Sequence, residues 1–211
     1  MRIVCISDTH LVHRDGEFSI PDGDLLIHAG DATYHGTQEE IREFNAWFAA
    51  LPHANKIFVA GNHDWGFQLH PEQSRAKLAP SIIYLQDSET TVDGLRIYGS
   101  PWQPQFGLWA FNLERGSPLR ERWQQIPTGV DVLITHGPPF GILDRTLSGR
   151  HVGCRDLHAE ITTRIKPRLH VFGHIHEDAG RHEQDGIMFI NACNVDLTYR
   201  LAHQPFVVDL P

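Results

Sequence analysis

Ile57-Phe58-Val59-Ala60-Gly61-Asn62-His63-Asp64 is the stretch that decides how this chain folds. An apolar run with β-branched residues fits a buried strand, Gly61 breaks it, and three polar side chains follow at once. The same grammar recurs along the chain. Val4-Cys5-Ile6 leads into Asp8-Thr9-His10, and Leu25-Leu26-Ile27 leads into Gly30-Asp31. Val132-Leu133-Ile134-Thr135 leads into His136-Gly137, and Val171-Phe172 into Gly173-His174-Ile175-His176. Open α/β sheets place ligands in the crevice beyond the carboxyl ends of their strands. Strand ends that carry Asp, Asn and His therefore predict one shared pocket rich in oxygen and nitrogen.

The residue types set the chemistry of that pocket. Hard divalent cations prefer oxygen and borderline ones accept imidazole, so this is a mixed metal site. Asp8, His10, Asp31, Asn62, His136, His174 and His176 are too many ligands for one ion and enough for two, with Asp31 bridging. A lone His or Asp reads as a structural residue. The set of seven does not, because a buried ionic cluster without cations is costly. His63 follows a candidate ligand directly, so it is expected to face the site while free of metal, and Asp64 to orient its ring. Asn62, His63 and Asp64 thus form the candidate catalytic set.

Between the strands the apolar pattern turns helical. Thr37 and Glu40 form a capping box, Ile41, Phe44, Trp47, Phe48 and Leu51 make a stripe, and Pro52 stops it. A second helix opens at Ser117-Pro118 with Leu119, Trp123 and Ile126 on one face, and a third carries Leu157, Ile161 and Ile165 before Pro167. Pro71 is expected to open a short helix through Leu78. Ile82–Leu85, Thr90–Val92 and Leu95–Tyr98 read instead as short strands, the last two joined by the Asp93-Gly94 turn. The pattern predicts a βα core with a second set of hairpin-connected strands, in two packed sheets flanked by helices. No linker or repeat interrupts it, so residues 1–211 are expected to form one domain.

Composition narrows the function. A formal charge of −8 argues against nucleic-acid or anionic-membrane binding, yet not against a small phosphate substrate beside bound cations. Three sparse cysteines, Cys5, Cys154 and Cys193, suit a reduced, cytoplasmic protein. Strand residues begin straight after Met1-Arg2, so no cleavable leader is expected. The loop with Trp102, Phe106, Trp109 and Phe111 is read as making its own small core, with nucleobase stacking as the alternative. His28 is read as a core or supporting residue, and Asp144 and Arg145 as either a loop ion pair or part of the mouth. Cys193, in Asn191-Ala192-Cys193-Asn194, is read as buried filler beside possible supports of the metal histidines, and Cys154 has no derived role.

Asp-x-His, Gly-Asp, Gly-Asn-His-Asp, His-Gly and Gly-His-x-His, in this order from Asp8 to His176, resemble the calcineurin-like metallophosphoesterase superfamily. Leu26-Ile27-His28-Ala29-Gly30-Asp31, Gly99-Ser100-Pro101-Trp102-Gln103-Pro104, Thr135-His136-Gly137-Pro138-Pro139 and Phe172-Gly173-His174-Ile175-His176-Glu177 are similar to its metallophosphoesterase-domain phosphodiesterase branch. The resemblance implies an α/β fold, a four-layer α/β/β/α sandwich of two packed mixed sheets flanked by helices. It implies that Asp8, His10 and His176 hold one divalent ion, that Asn62, His136 and His174 hold the other, and that Asp31 holds both. Manganese is the first expectation for both ions, with iron and zinc compatible. The expected reaction is hydrolysis of a small phosphodiester, cyclic or mononucleotide ones included, by a metal-bridging hydroxide attacking in line with the ester oxygen. His63 is expected to stabilise the transition state and deliver a proton. The alternatives are a monoesterase or phosphoprotein phosphatase with the same site, and a non-catalytic scaffold. The oligomeric state is not fixed by the sequence.

Overall fold

The computed structural model describes residues 1–16 and 18–210. In chain order the first elements are β1 (Arg2–Ile6), β2 (Leu25–His28), α1 (Gln38–Ala50), β3 (Asn55–Phe58), α2 (Trp65–Leu69), α3 (Pro71–Arg75) and β4 (Ile82–Tyr84). Next come β5 (Ser88–Val92), β6 (Leu95–Ser100), β7 (Gln103–Pro104), β8 (Asn112–Leu113), α4 (Ser117–Gln124) and β9 (Val132–Thr135). Then follow α5 (Arg155–Glu160), β10 (Leu169–Phe172), β11 (Gly180–Gln184), β12 (Ile187–Asn191) and β13 (Phe206–Asp209).

Two sheets carry the architecture. The first runs β13-β1-β2-β3-β4, parallel apart from β13. The second runs β11-β12-β10-β9-β6-β5, with its four central strands parallel and each edge strand antiparallel. Both faces of the central strands are covered, so their residues are apolar on both parities. Ile3, Ile27 and Ile57 pack inward against Ile97, Val132 and Val171 of the other sheet. Val4, Leu26 and Phe58 point the opposite way, onto Ile41, Phe44 and Phe48 of α1. Leu133, Phe172 and Phe189 likewise meet Leu119 and Trp123 of α4 and Leu157 of α5. The result is the expected four-layer α/β/β/α sandwich.

The local signals explain most boundaries. The Thr37 hydroxyl accepts from the Glu40 amide and Glu40 answers at the Thr37 amide, completing the capping box of α1. Thr37→Ala should therefore lower stability by about 1 kcal/mol, read as a reduced urea midpoint at unchanged slope. Asp93 and Gly94 both take positive φ, 46° and 86°, which matches the turn to the strand twist. After α5 the chain makes one wider π turn, Ile161–Ile165, before Lys166 and Pro167 end it.

Two expectations change. Ile82–Tyr84 does not join the hairpin strands; it pairs parallel with β3 as the edge of the first sheet. The helix at Pro71 stops at Arg75, with turns rather than helix up to Leu78. No helix among the described residues is long and apolar enough to cross a membrane.

Parallel pairing gives β1, β2 and β3 a common carboxyl end, and β9 and β10 another. These two edges are stitched together. The His136 ring donates to the Ala29 carbonyl at 3.0 Å, and the His174 amide donates to Asp8 at 3.0 Å.

Candidate metal centre

All seven predicted ligand positions meet at this junction. Asp8, His10 and His176 form one group whose ligand atoms lie within 4.8 Å of one another, and Asp31, His136 and His174 form another. Asn62 Oδ1 lies 2.9 Å from His136 Nε2, which brings it to the second group. A third group joins His10 and Asp31 to His63, which was expected to stand clear of the ions.

The backbone is bent to achieve this. Asp8, His10, Asp31 and His174 all have positive φ, 52°, 38°, 55° and 73°. Non-glycine residues rarely adopt that region, and strain of this kind gathers at functional sites. Two glycines make the close approaches possible. A Cβ on Gly173 would lie 2.0 Å from Asp8 Oδ2, and one on Gly61 2.3 Å from Asp31 Oδ1.

The imidazoles are aimed by one repeated device. Nδ1 of His10 donates to the Thr33 carbonyl at 3.1 Å, that of His136 to Ala29 at 3.0 Å, and that of His176 to Asp196 at 3.1 Å. A carbonyl only accepts, so each Nδ1 carries the proton and each Nε2 turns inward. There Nε2 of His176 lies 3.3 Å from Asp8 and those of His136 and His10 lie 3.4 and 3.8 Å from Asp31. An imidazole nitrogen facing a carboxylate at these distances must either carry a proton or share a cation with it.

The electrostatics state the same demand. Burial alone would raise Asp8 and Asp31, but the charges of His176 and His136 hold both below the ordinary carboxylate range. Burial opposes charge on His136 and His176, yet the facing carboxylates lift each to about 9. Burial instead keeps His10 and His174 neutral, down at about 4 and about 3. The buried His10 Nε2 has no hydrogen-bond partner. A neutral, aimed, unpartnered imidazole beside two carboxylates is the donor set that divalent cations fit.

His63 is 8% exposed and lines the pocket. Its amide donates to Asp31 Oδ1 at 2.7 Å and its Nδ1 donates to the Tyr34 carbonyl at 2.7 Å, leaving Nε2 free. Trp109 stacks on its ring with centroids 4.2 Å apart. The expected Asp64 partnership is therefore corrected. Asp64 is fully buried, and its carboxylate accepts from the amides of Gly61, Ala32 and Thr33 and from the Thr33 hydroxyl. It clasps the loop after β2 to the loop after β3. Burial, then the charge of Asp31, pushes it up to about 6. Asp64→Ala should cost about 3 kcal/mol in chemical denaturation, because buried amides lose their acceptor. Loss of turnover at unchanged stability would restore the orienting role.

Supporting residues emerge around this core. His28, held neutral by burial at about 3, contacts Thr9 Oγ1 at 2.8 Å and so braces the Asp8–His10 turn. Asn191 donates to the Ile175 carbonyl and Asn194 accepts from the Ser7 amide, at 2.8 and 3.1 Å. Cys154, without a role from sequence, caps α5 through Sγ and receives the Trp123 indole at 3.3 Å. Asp144 is buried and accepts from Gly141 and Gly153, so it organises its loop and does not line the mouth. The aromatic loop divides. Trp102 and Phe111 pack together, whereas Phe106 and Trp109 face the pocket. Leu197 and Tyr199 complete the pocket wall from the far end of the chain and carry no motif that would have found them.

The chain belongs to the calcineurin-like phosphoesterase family, whose model matches residues 1–178. Phosphate-ester hydrolysis with divalent metals is thus its activity at the family level. Human and mouse "Metallophosphoesterase domain-containing protein 1" are each 45% identical over 233 aligned positions, covering 100% of this chain and 71% of theirs. Phosphopantetheinyl hydrolase of Mycobacterium tuberculosis shares the fold at 17% identity, with TM-score 0.58 over 93% of this chain and 90% of its own.

Proposed function

We propose that residues 1–211 form one phosphodiesterase domain with a dinuclear centre, manganese being the first expectation for both ions. Asp8, His10 and His176 would hold one ion, Asn62, His136 and His174 the other, and Asp31 both. The observation that carries this reading is the set of imidazoles aimed by backbone carbonyls at two buried carboxylates. Bound there, divalent cations supply Lewis-acid neutralisation of phosphoryl charge and a more acidic water.

The chain's own residues supply orientation and proton management. His63 keeps Nε2 available to the reacting phosphoryl group, because Tyr34 and Trp109 fix its ring on the other sides. Phe106, Leu197 and Tyr199 narrow the pocket to about 180 Å³, a size for a small ester rather than a protein loop. That lining includes no lysine or arginine among the described residues. A monoester dianion would want such a cation, whereas a diester carries one charge and an extra organic group for the apolar wall. The free, buried Cys5, Cys154 and Cys193 support a reducing, cytoplasmic setting.

Rates with bis(p-nitrophenyl) phosphate and p-nitrophenyl phosphate test the reading. Manganese-loaded protein should cleave the diester faster, and EDTA should stop it. Turnover of the monoester alone would reject the diesterase, and full activity in metal-free protein would reject the centre.

A further inference from the structure

Phe106 and His174 of the candidate site also line a second cavity of about 310 Å³, so the two spaces adjoin. The second cavity is bounded mainly by Pro104, Pro138, Val152 and Ile175, a lining for an apolar or planar group. Arg115 and Val152 in turn border a third cavity of about 510 Å³.

The third cavity is basic. Arg115, Arg150 and Arg155 stand around it in a chain whose formal charge is −8, so the field reverses locally, while His151 beside them is paired with the buried Asp144 and adds no free charge. Asp156 at its border is paired with Arg120 at 3.0 Å. Two of the cations are held in place. Arg115 donates to the Val152 and Gly153 carbonyls at 2.6 and 2.8 Å, and the Arg155 guanidinium lies 3.7 Å from the Phe140 ring centroid. Arg150 is exposed, and its guanidinium takes no hydrogen bond or ion pair among the described residues. Planar guanidinium forks match the oxygens of a terminal phosphate.

We propose that the three adjoining spaces form one substrate groove, in which Arg115, Arg150 and Arg155 hold a second phosphate. An apolar or planar moiety would separate that phosphate from the ester at the candidate metal centre. The substrate class is a small diester with a terminal phosphate, and only the identity of the near group rests on the diesterase reading.

Calorimetry on the manganese-loaded protein tests this with two dinucleotides joined by a non-hydrolysable methylenephosphonate, one bearing a 5′-phosphate and one lacking it. The terminal phosphate should tighten binding about tenfold, the equivalent of one charge-assisted hydrogen-bond pair. The gain should shrink as salt rises and vanish in both Arg150→Gln and Arg155→Gln. Equal affinities in the unsubstituted protein, or a gain that survives both substitutions, overturn the proposal. If the gain stands while bis(p-nitrophenyl) phosphate goes uncleaved, the anion cavity is retained and the diesterase reading falls.

Discussion

Asp31→Ala protein should lose hydrolysis of bis(p-nitrophenyl) phosphate by about 10³-fold or more, since charge neutralisation worth several kcal/mol goes with it. Metal content measured by mass spectrometry should fall in parallel. The size of the effect follows from position. Asp31 belongs to two of the three ligand groups, faces Nε2 of both His10 and His136, and also accepts the His63 amide. Removing it withdraws the negative charge that balances the cluster and the anchor of the residue beside it. Asp31→Asn separates these losses. Asparagine tolerates the positive φ at this position and still accepts from His63, so only the charge disappears. We expect Asn to fold as well as the parent, to bind metal weakly and to be nearly as inactive as Ala. A non-catalytic scaffold would show no activity to lose, and wild-type turnover in either variant would refute the bridging role.

What the sequence made legible was whatever a strand end imposes. Buried parallel strands must be apolar on both faces, so the polar residues after Ile6, His28, Ala60, Thr135 and Phe172 stood out, and parallel pairing brought them together. The two-sheet sandwich followed from the same strands. What stayed hidden was made by the backbone or by distance along the chain. His63 is oriented by the carbonyl of Tyr34, an acceptor every residue owns, so side-chain identity favoured the neighbouring Asp64 wrongly. The positive φ values of Asp8, His10 and His174 occur without glycine and leave no mark on composition. Tyr199 approaches His10 at 4.7 Å between ring centroids although 189 positions of sequence separate 10 from 199. Ile82–Leu85 was as short as its hairpin neighbours in the sequence, and its pairing with β3 distinguishes it.

His63→Ala should keep the metal content of the parent and lose kcat by about 10²- to 10⁴-fold, the range for a positioned proton donor. KM should move little, because the phosphate is held by the ligand groups and the apolar wall. The geometry makes the substitution a clean one. The Nδ1 bond to Tyr34, the Trp109 stack and the edge contacts with His10 and Tyr199 are lost inside the protein, while the amide bond to Asp31 survives. The choice of leaving group then identifies the role. A p-nitrophenolate leaves without a proton, whereas a nucleoside alkoxide needs one, so the loss should be much larger for the nucleoside diester. Equal losses for both leaving groups would make His63 a stabiliser of phosphoryl charge alone. Loss of metal with activity would move it into the ligand shell that its closeness to His10 and Asp31 allows. Parent rates with both substrates would remove it from the mechanism.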